Sequence, residues 1–64
     1  MNTIHIDNNS NLTNITISED TNIFYNNAKS NITIEVLNDC KVFEYIKDSN
    51  IETNYKINSS LYIN

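Results

Sequence analysis

One ten-residue layout constrains this chain more than anything else in it. Ile34-Glu35-Val36 is an apolar-polar-apolar strand end. Leu37-Asn38-Asp39-Cys40-Lys41 is a mostly polar connection, and Val42-Phe43 opens the next strand. Ile15-x-Ile17, then Ser18 to Asn22, then Ile23-Phe24 repeats the layout position for position. Ile4-x-Ile6, then Asp7 to Asn11, then Leu12-Thr13 repeats it again, and Tyr55-x-Ile57 to Leu61-Tyr62 is a fourth copy with a shorter link. One column of the link holds only small side chains: Ser10, Thr21, Cys40 and Ser59. A chain written this way stacks or folds back short strands on one another.

The strand reading follows from period. Ile32-Thr33-Ile34-Glu35-Val36 alternates β-branched and polar residues, and Ile4-His5-Ile6, Asn14-Ile15-Thr16-Ile17 and Tyr55-Lys56-Ile57 are shorter versions. Alternation places one set of side chains on each face of a half-buried strand. The chain is therefore expected to be all-β. The expected inward set is Ile4, Ile6, Leu12, Ile15, Ile17, Ile23, Ile32, Ile34, Val36, Val42, Ile57 and Leu61. Glycine and proline are absent, so turn chemistry falls to Asn and Asp. These tolerate left-handed backbone better than other non-glycine residues and close turns through their side chains. Asp7 to Asn9, Glu19-Asp20, Asn38-Asp39 and Asn58-Ser59 are placed for that role, with longer connections near residues 26–30 and 47–50.

Two architectures accommodate the pattern. In an antiparallel β-meander each link is a hairpin. In a short β-solenoid, or β-helix-like stack, each link is a polar corner and equivalent columns lie coil upon coil. The copies are spaced by 11, 19 and 21 residues, the last two close to one solenoid coil. The constant small-residue column favours stacking, because an inward corner leaves little room.

The 64 residues make a single β domain, 1–64, or a fragment of a longer β-helix. A core of this size rarely supplies more than about 3–5 kcal/mol without a staple. One cysteine excludes an internal disulfide, and one cysteine with one histidine is too few for structural zinc. Association with another chain is the remaining source of stability. Eight acidic residues against four lysines leave a net charge of −4, with no basic stripe for nucleic acid or an anionic membrane. No apolar run reaches transmembrane length, and residues 1–6 do not read as a secretion signal, so the expected compartment is cytoplasmic. Asn-x-Ser/Thr triplets at Asn8, Asn11, Asn14, Asn31 and Asn58 follow from the abundance of asparagine.

Residues 31–63 resemble the β-helix core of the SufB/SufD scaffold proteins of iron–sulfur cluster assembly. The resemblance is carried by Ile32 to Tyr45, a strand, a small-residue corner and a strand ending in Glu44-Tyr45, and by Asn54-Tyr55-Lys56-Ile57-Asn58-Ser59-Ser60-Leu61-Tyr62. It implies a right-handed parallel β-helix that pairs with a sister subunit and works with an ATPase. It implies an iron–sulfur cluster only within the full family assembly. Family members are several times longer, and their sulfur-accepting cysteine and cluster ligands lie late in the β-helix. No functional residue of the family is carried onto a position here.

Chemistry-bearing residues are few. Cys40 is the single soft nucleophile and a weak metal candidate, and its expected role is to fill the small corner column. His5, between Ile4 and Ile6, points away from the apolar face. Glu35, Glu44 and Glu52 are expected on a solvated face, and no catalytic constellation or phosphate loop is present. The chain is read as no enzyme and as needing no cofactor of its own. The expected interface is an aromatic stripe of Phe24, Phe43, Tyr45 and Tyr62 together with the strand Leu61 to Ile63. The partner is a second copy, in a homodimer, or a sister scaffold subunit. Function is then expected as a SufB/SufD-like scaffold component acting through protein contacts, or as a self-associating β-module without cluster chemistry.

Overall fold

The computed structural model describes residues 1–9 and 13–58. Six strands follow one another: β1 (Asn2–Asp7), β2 (Asn14–Ile17), β3 (Thr21–Asn26), β4 (Asn31–Val36), β5 (Val42–Lys47) and β6 (Glu52–Ile57). They alternate between two three-stranded sheets, β1-β3-β5 and β2-β4-β6. Every pairing is parallel, so the antiparallel meander is excluded. Strand by strand the chain steps across to the other sheet and back, and each passage adds a layer. β1–β2 form the first layer, β3–β4 the middle and β5–β6 the last.

Register follows two steps. Asn2 pairs with Thr21 and Asn14 with Thr33, a step of 19 residues in each sheet. Thr21 pairs with Val42 and Asn31 with Glu52, a step of 21. The longer step arises because the corner between β4 and β5, residues 37–41, is two residues longer than the corner 18–20 between β2 and β3. The small-residue column is corrected accordingly: Thr21 lies beside Val42, not Cys40. Ser10 and Ser59 lie outside the described residues. The 11-residue match does not become a pairing either, since β1 and β2 belong to different sheets.

The core sits between the sheets. Ile6, Ile15, Ile17, Ile23, Ile32, Ile34 and Val36 are buried, with Ile4, Val42 and Ile57 half-buried against them. These ten are the described members of the expected inward set; Leu12 and Leu61 lie outside the described residues. Tyr25, Ala28 and Thr21 join them, unforeseen. Thr21 and Tyr25 flank Ile23 at period 2, and the same alternation carries them inward. Apolar burial of this kind contributes roughly 1.5–3 kcal/mol per large side chain against the entropy of ordering the chain.

Corners are held layer to layer. Asp20 Oδ1 accepts from the Lys41 N–H at 2.7 Å, and Ser18 O accepts from Asn38 Nδ2 at 2.9 Å. On the opposite side, Ser49 Oγ accepts from the Ala28 N–H at 2.9 Å, and Ala28 O accepts from the Asn50 N–H at 2.9 Å. Left-handed backbone occurs at Asn27 (φ 56°) and Asp48 (φ 48°), equivalent positions after β3 and β5. The residue type is the expected one, but the corners are those near 26–30 and 47–50.

Candidate functional site

The outer face of sheet β1-β3-β5 carries a row of rings. Because the pairing is parallel and in register, one residue from each strand occupies each column. His5, Phe24 and Tyr45 share one. Their rings lie at the strand spacing and are stacked: His5 on Phe24 at 5.3 Å and 15°, Phe24 on Tyr45 at 4.6 Å and 13°. Such contacts add about 0.5–1.5 kcal/mol beyond area burial. The expected stripe is therefore present with a different membership. Phe43 falls in the neighbouring column opposite Asn22, Tyr62 lies outside the described residues, and His5 takes the end position. The shift of two residues that displaced Cys40 also displaced Phe43. Leu61 and Ile63 of the expected interface likewise lie outside the described residues.

A shallow groove runs beside this ladder. It is lined by the three rings together with Tyr25, Asn26, Ile46 and Lys47. Beyond it the column Asp7, Asn26, Lys47 marks the strand ends. Phe24, Phe43 and Tyr45 are each more than a third exposed, and Ile46 is 59 % exposed, so apolar area accumulates toward the last layer.

A second cluster lies inside that last layer. Glu44, expected on a solvated face, points between the sheets with Val42 and is half-buried. One carboxylate oxygen accepts from the Tyr25 hydroxyl at 2.5 Å and the other from the Tyr55 hydroxyl. Tyr25 comes from the layer beneath and Tyr55 from the facing sheet, so the carboxylate ties β3, β5 and β6 together. Burial first, then the hydrogen bond and charge of Glu44, push both tyrosine hydroxyls well above their usual pKa. The signal for Glu44 was available: Val42 inward places Glu44 inward two residues later. Glu35 stays on the outer face, where it accepts from Asn58 Nδ2 at 2.8 Å. Glu52 is exposed, as expected.

The donor set bears on metals. An iron–sulfur cluster is held by several cysteine thiolates. Cys40 is half-buried against the core, and among the described residues no three His, Cys, Asp or Glu side chains come together as a metal site. The described residues do not by themselves fit a cluster. Among them no buried side-chain nitrogen or oxygen lacks a hydrogen-bond partner. No helix of the described residues is long and apolar enough to cross a membrane. No protein-family model, curated protein or solved structure matches this chain.

Proposed function

We propose that this chain is a self-associating structural module, a short β-solenoid that acts through protein–protein contacts. One observation carries the reading: the last layer leaves Phe43, Tyr45, Ile46 and Tyr55 at or above two-fifths exposed on parallel strands. Edge strands present unpaired N–H and C=O groups, and exposed aromatic area beside them is the chemistry of interface cores. The small core, with no disulfide and no clustered metal ligands among the described residues, gives association an energetic reason. Sedimentation velocity at micromolar concentration tests this. We expect species heavier than one chain, fewer of them in Phe43→Ser, and a cooperatively folded monomer throughout overturns the reading.

A narrower reading is a scaffold component of the SufB/SufD type. The observation in its favour is parallel pairing at steps of 19 and 21 residues, the spacing of a β-helix coil. In that reading the chain contributes strands and contacts, and the cluster chemistry belongs to the larger assembly. Purified sister scaffold subunit should then bind the chain directly, and anaerobic reconstitution with iron and sulfide should give visible absorption only with both present. Absence of binding removes the narrower reading and leaves the first.

A further inference from the structure

The rings of the ladder meet each other with their faces and the outside with their rims. Phe24 has His5 stacked on one face at 5.3 Å and Tyr45 on the other at 4.6 Å, yet it is 37 % exposed. What Phe24 turns outward is therefore its rim, and His5 and Tyr45, within 15° of parallel to it, share that orientation. An aromatic ring is positive at its rim and negative over its face. A row of rims at strand spacing is thus complementary to the face of another π system laid across it in edge-to-face contact. A saturated hydrocarbon gains burial on such a row but not this electrostatic fit.

We propose that the groove beside the ladder binds a small, flat, fused-ring aromatic acid. Its ring system lies across the rims of Phe24 and Tyr45, and its carboxylate meets Lys47. The site goes beyond the self-association proposed above and does not depend on it, although Tyr45 and Ile46 belong both to the groove and to that exposed face.

Size and lining fit this ligand. The groove has a volume of about 390 Å³, and rings and Ile46 make up most of its wall. Small-molecule sites are typically roughly 300–1,000 Å³, mostly apolar, with a few polar groups that fix orientation. The ladder extends over two strand spacings, about 9–10 Å, which gives room for two fused rings.

The sign of the charge follows from the lining. Lys47 supplies an ammonium, Asn26 beside it supplies amide donors, and no acidic side chain of the described residues lines the groove. The carboxylates nearby are engaged or placed elsewhere. Asp7, in the same column as Asn26 and Lys47, accepts from the Asn9 N–H at 2.9 Å. Glu44 points between the sheets, with both oxygens accepting from tyrosine hydroxyls. Asp48 belongs to the corner after β5, and Glu52 to the other sheet.

Three probes separate the contributions: naphthoate, naphthylmethanol (the same rings, no charge) and decalin carboxylate (the same charge, no π face). Each is titrated into the full chain and followed by backbone amide NMR. Naphthoate should shift the amides of Phe24, Asn26, Tyr45 and Lys47 saturably and bind several-fold more tightly than either of the others. Tyr45→Leu keeps apolar area but removes a rim, and should lower naphthoate to the level of decalin carboxylate. Lys47→Gln, at an exposed position, should lower it to the level of naphthylmethanol. Equal binding of all three probes, unchanged binding in Lys47→Gln, or saturable shifts confined to other residues overturns the site, as does no saturable shift at all. Sedimentation of the same samples keeps the two proposals apart. A monomer that binds naphthoate overturns self-association alone, and an assembly that does not bind it overturns the site alone.

Discussion

The middle and last layers are built from strands of the same length in the same register, yet they end in different environments. Inward positions of the middle layer are Thr21, Ile23, Tyr25, Ile32, Ile34 and Val36, none more than 3 % exposed. Their partners in the last layer are Val42, Glu44, Ile46, Thr53, Tyr55 and Ile57, none of them buried. Ile46 shows that side-chain type does not decide this: it is an isoleucine in the column of buried Tyr25 and Ile6, and it is mostly exposed. The first layer differs again: Ile6, Ile15 and Ile17 are buried there, although β1 and β2 each pair with a described strand on one side only. The composition of the last layer differs too, with Glu44 and Tyr55 where the middle layer has Ile23 and Ile34.

The largest effect should come from truncating the same side chain in each layer. Ile34→Ala should cost about 2–5 kcal/mol, because it leaves a cavity enclosed on all sides. Ile46→Ala should cost about 0.5 kcal/mol or less in the unassembled molecule, as at other exposed positions. Urea denaturation of both variants measures the difference. Equal losses would mean that the last layer is as enclosed as the middle one.

Tyr25→Phe sharpens the comparison at the boundary between the two layers. It removes a hydroxyl donated to a carboxylate, a loss of about 1–3 kcal/mol. Its pH dependence has a definite sign. The folded state holds the Tyr25 and Tyr55 protons above the usual tyrosine range, whereas the unfolded chain releases them near pH 10. Stability from these hydroxyls is thus fully present below about pH 10 and falls as pH rises beyond it. Denaturant midpoints taken upward from pH 8 should decline above pH 10, with a shallower decline in Tyr25→Phe. A flat profile in the parent would show that the hydroxyls ionise alike in both states.

Cys40 gives the smallest expected change. Half-buried beside the core, and in no group of three metal-ligating side chains among the described residues, it should tolerate Cys40→Ala at a cost of about 1 kcal/mol or less. A midpoint shift of several kcal/mol, or loss of assembly, would assign the thiol a larger part than filling space.

Strands were legible in the sequence because alternation is local, and Ile32 to Val36 needs no knowledge of its neighbours to show its two faces. Pairing is legible within each copy's strand end, and fails across the corner where corner lengths differ: Ile34 with Tyr55 and Val36 with Ile57 are aligned by text and by structure. Ile15 with Ile34 and Ile17 with Val36 are aligned both by text and by structure. Phe24 with Phe43 are aligned by text alone, because residues 37–41 spend two more positions on the corner than residues 18–20 do. That difference moved the ring ladder onto His5, Phe24 and Tyr45. Glu44 departs from its expected solvated face for another reason: its charge is satisfied inside, by tyrosine hydroxyls. The two tyrosines that satisfy it lie 19 and 11 residues away in sequence, too far for a local pattern to show.

Asn27 and Asp48, each in left-handed backbone at the same point of successive layers, mark off a structural unit. The stretch from Thr21 to Lys41 leaves one layer and arrives at the start of the next, and Lys41 O accepts from the Thr21 N–H at 2.9 Å. A gene that duplicated that stretch in frame would lengthen the molecule by one strand spacing, about 4.8 Å. The new copy would find its corner partners already in place. Length in a molecule built this way would change in whole steps.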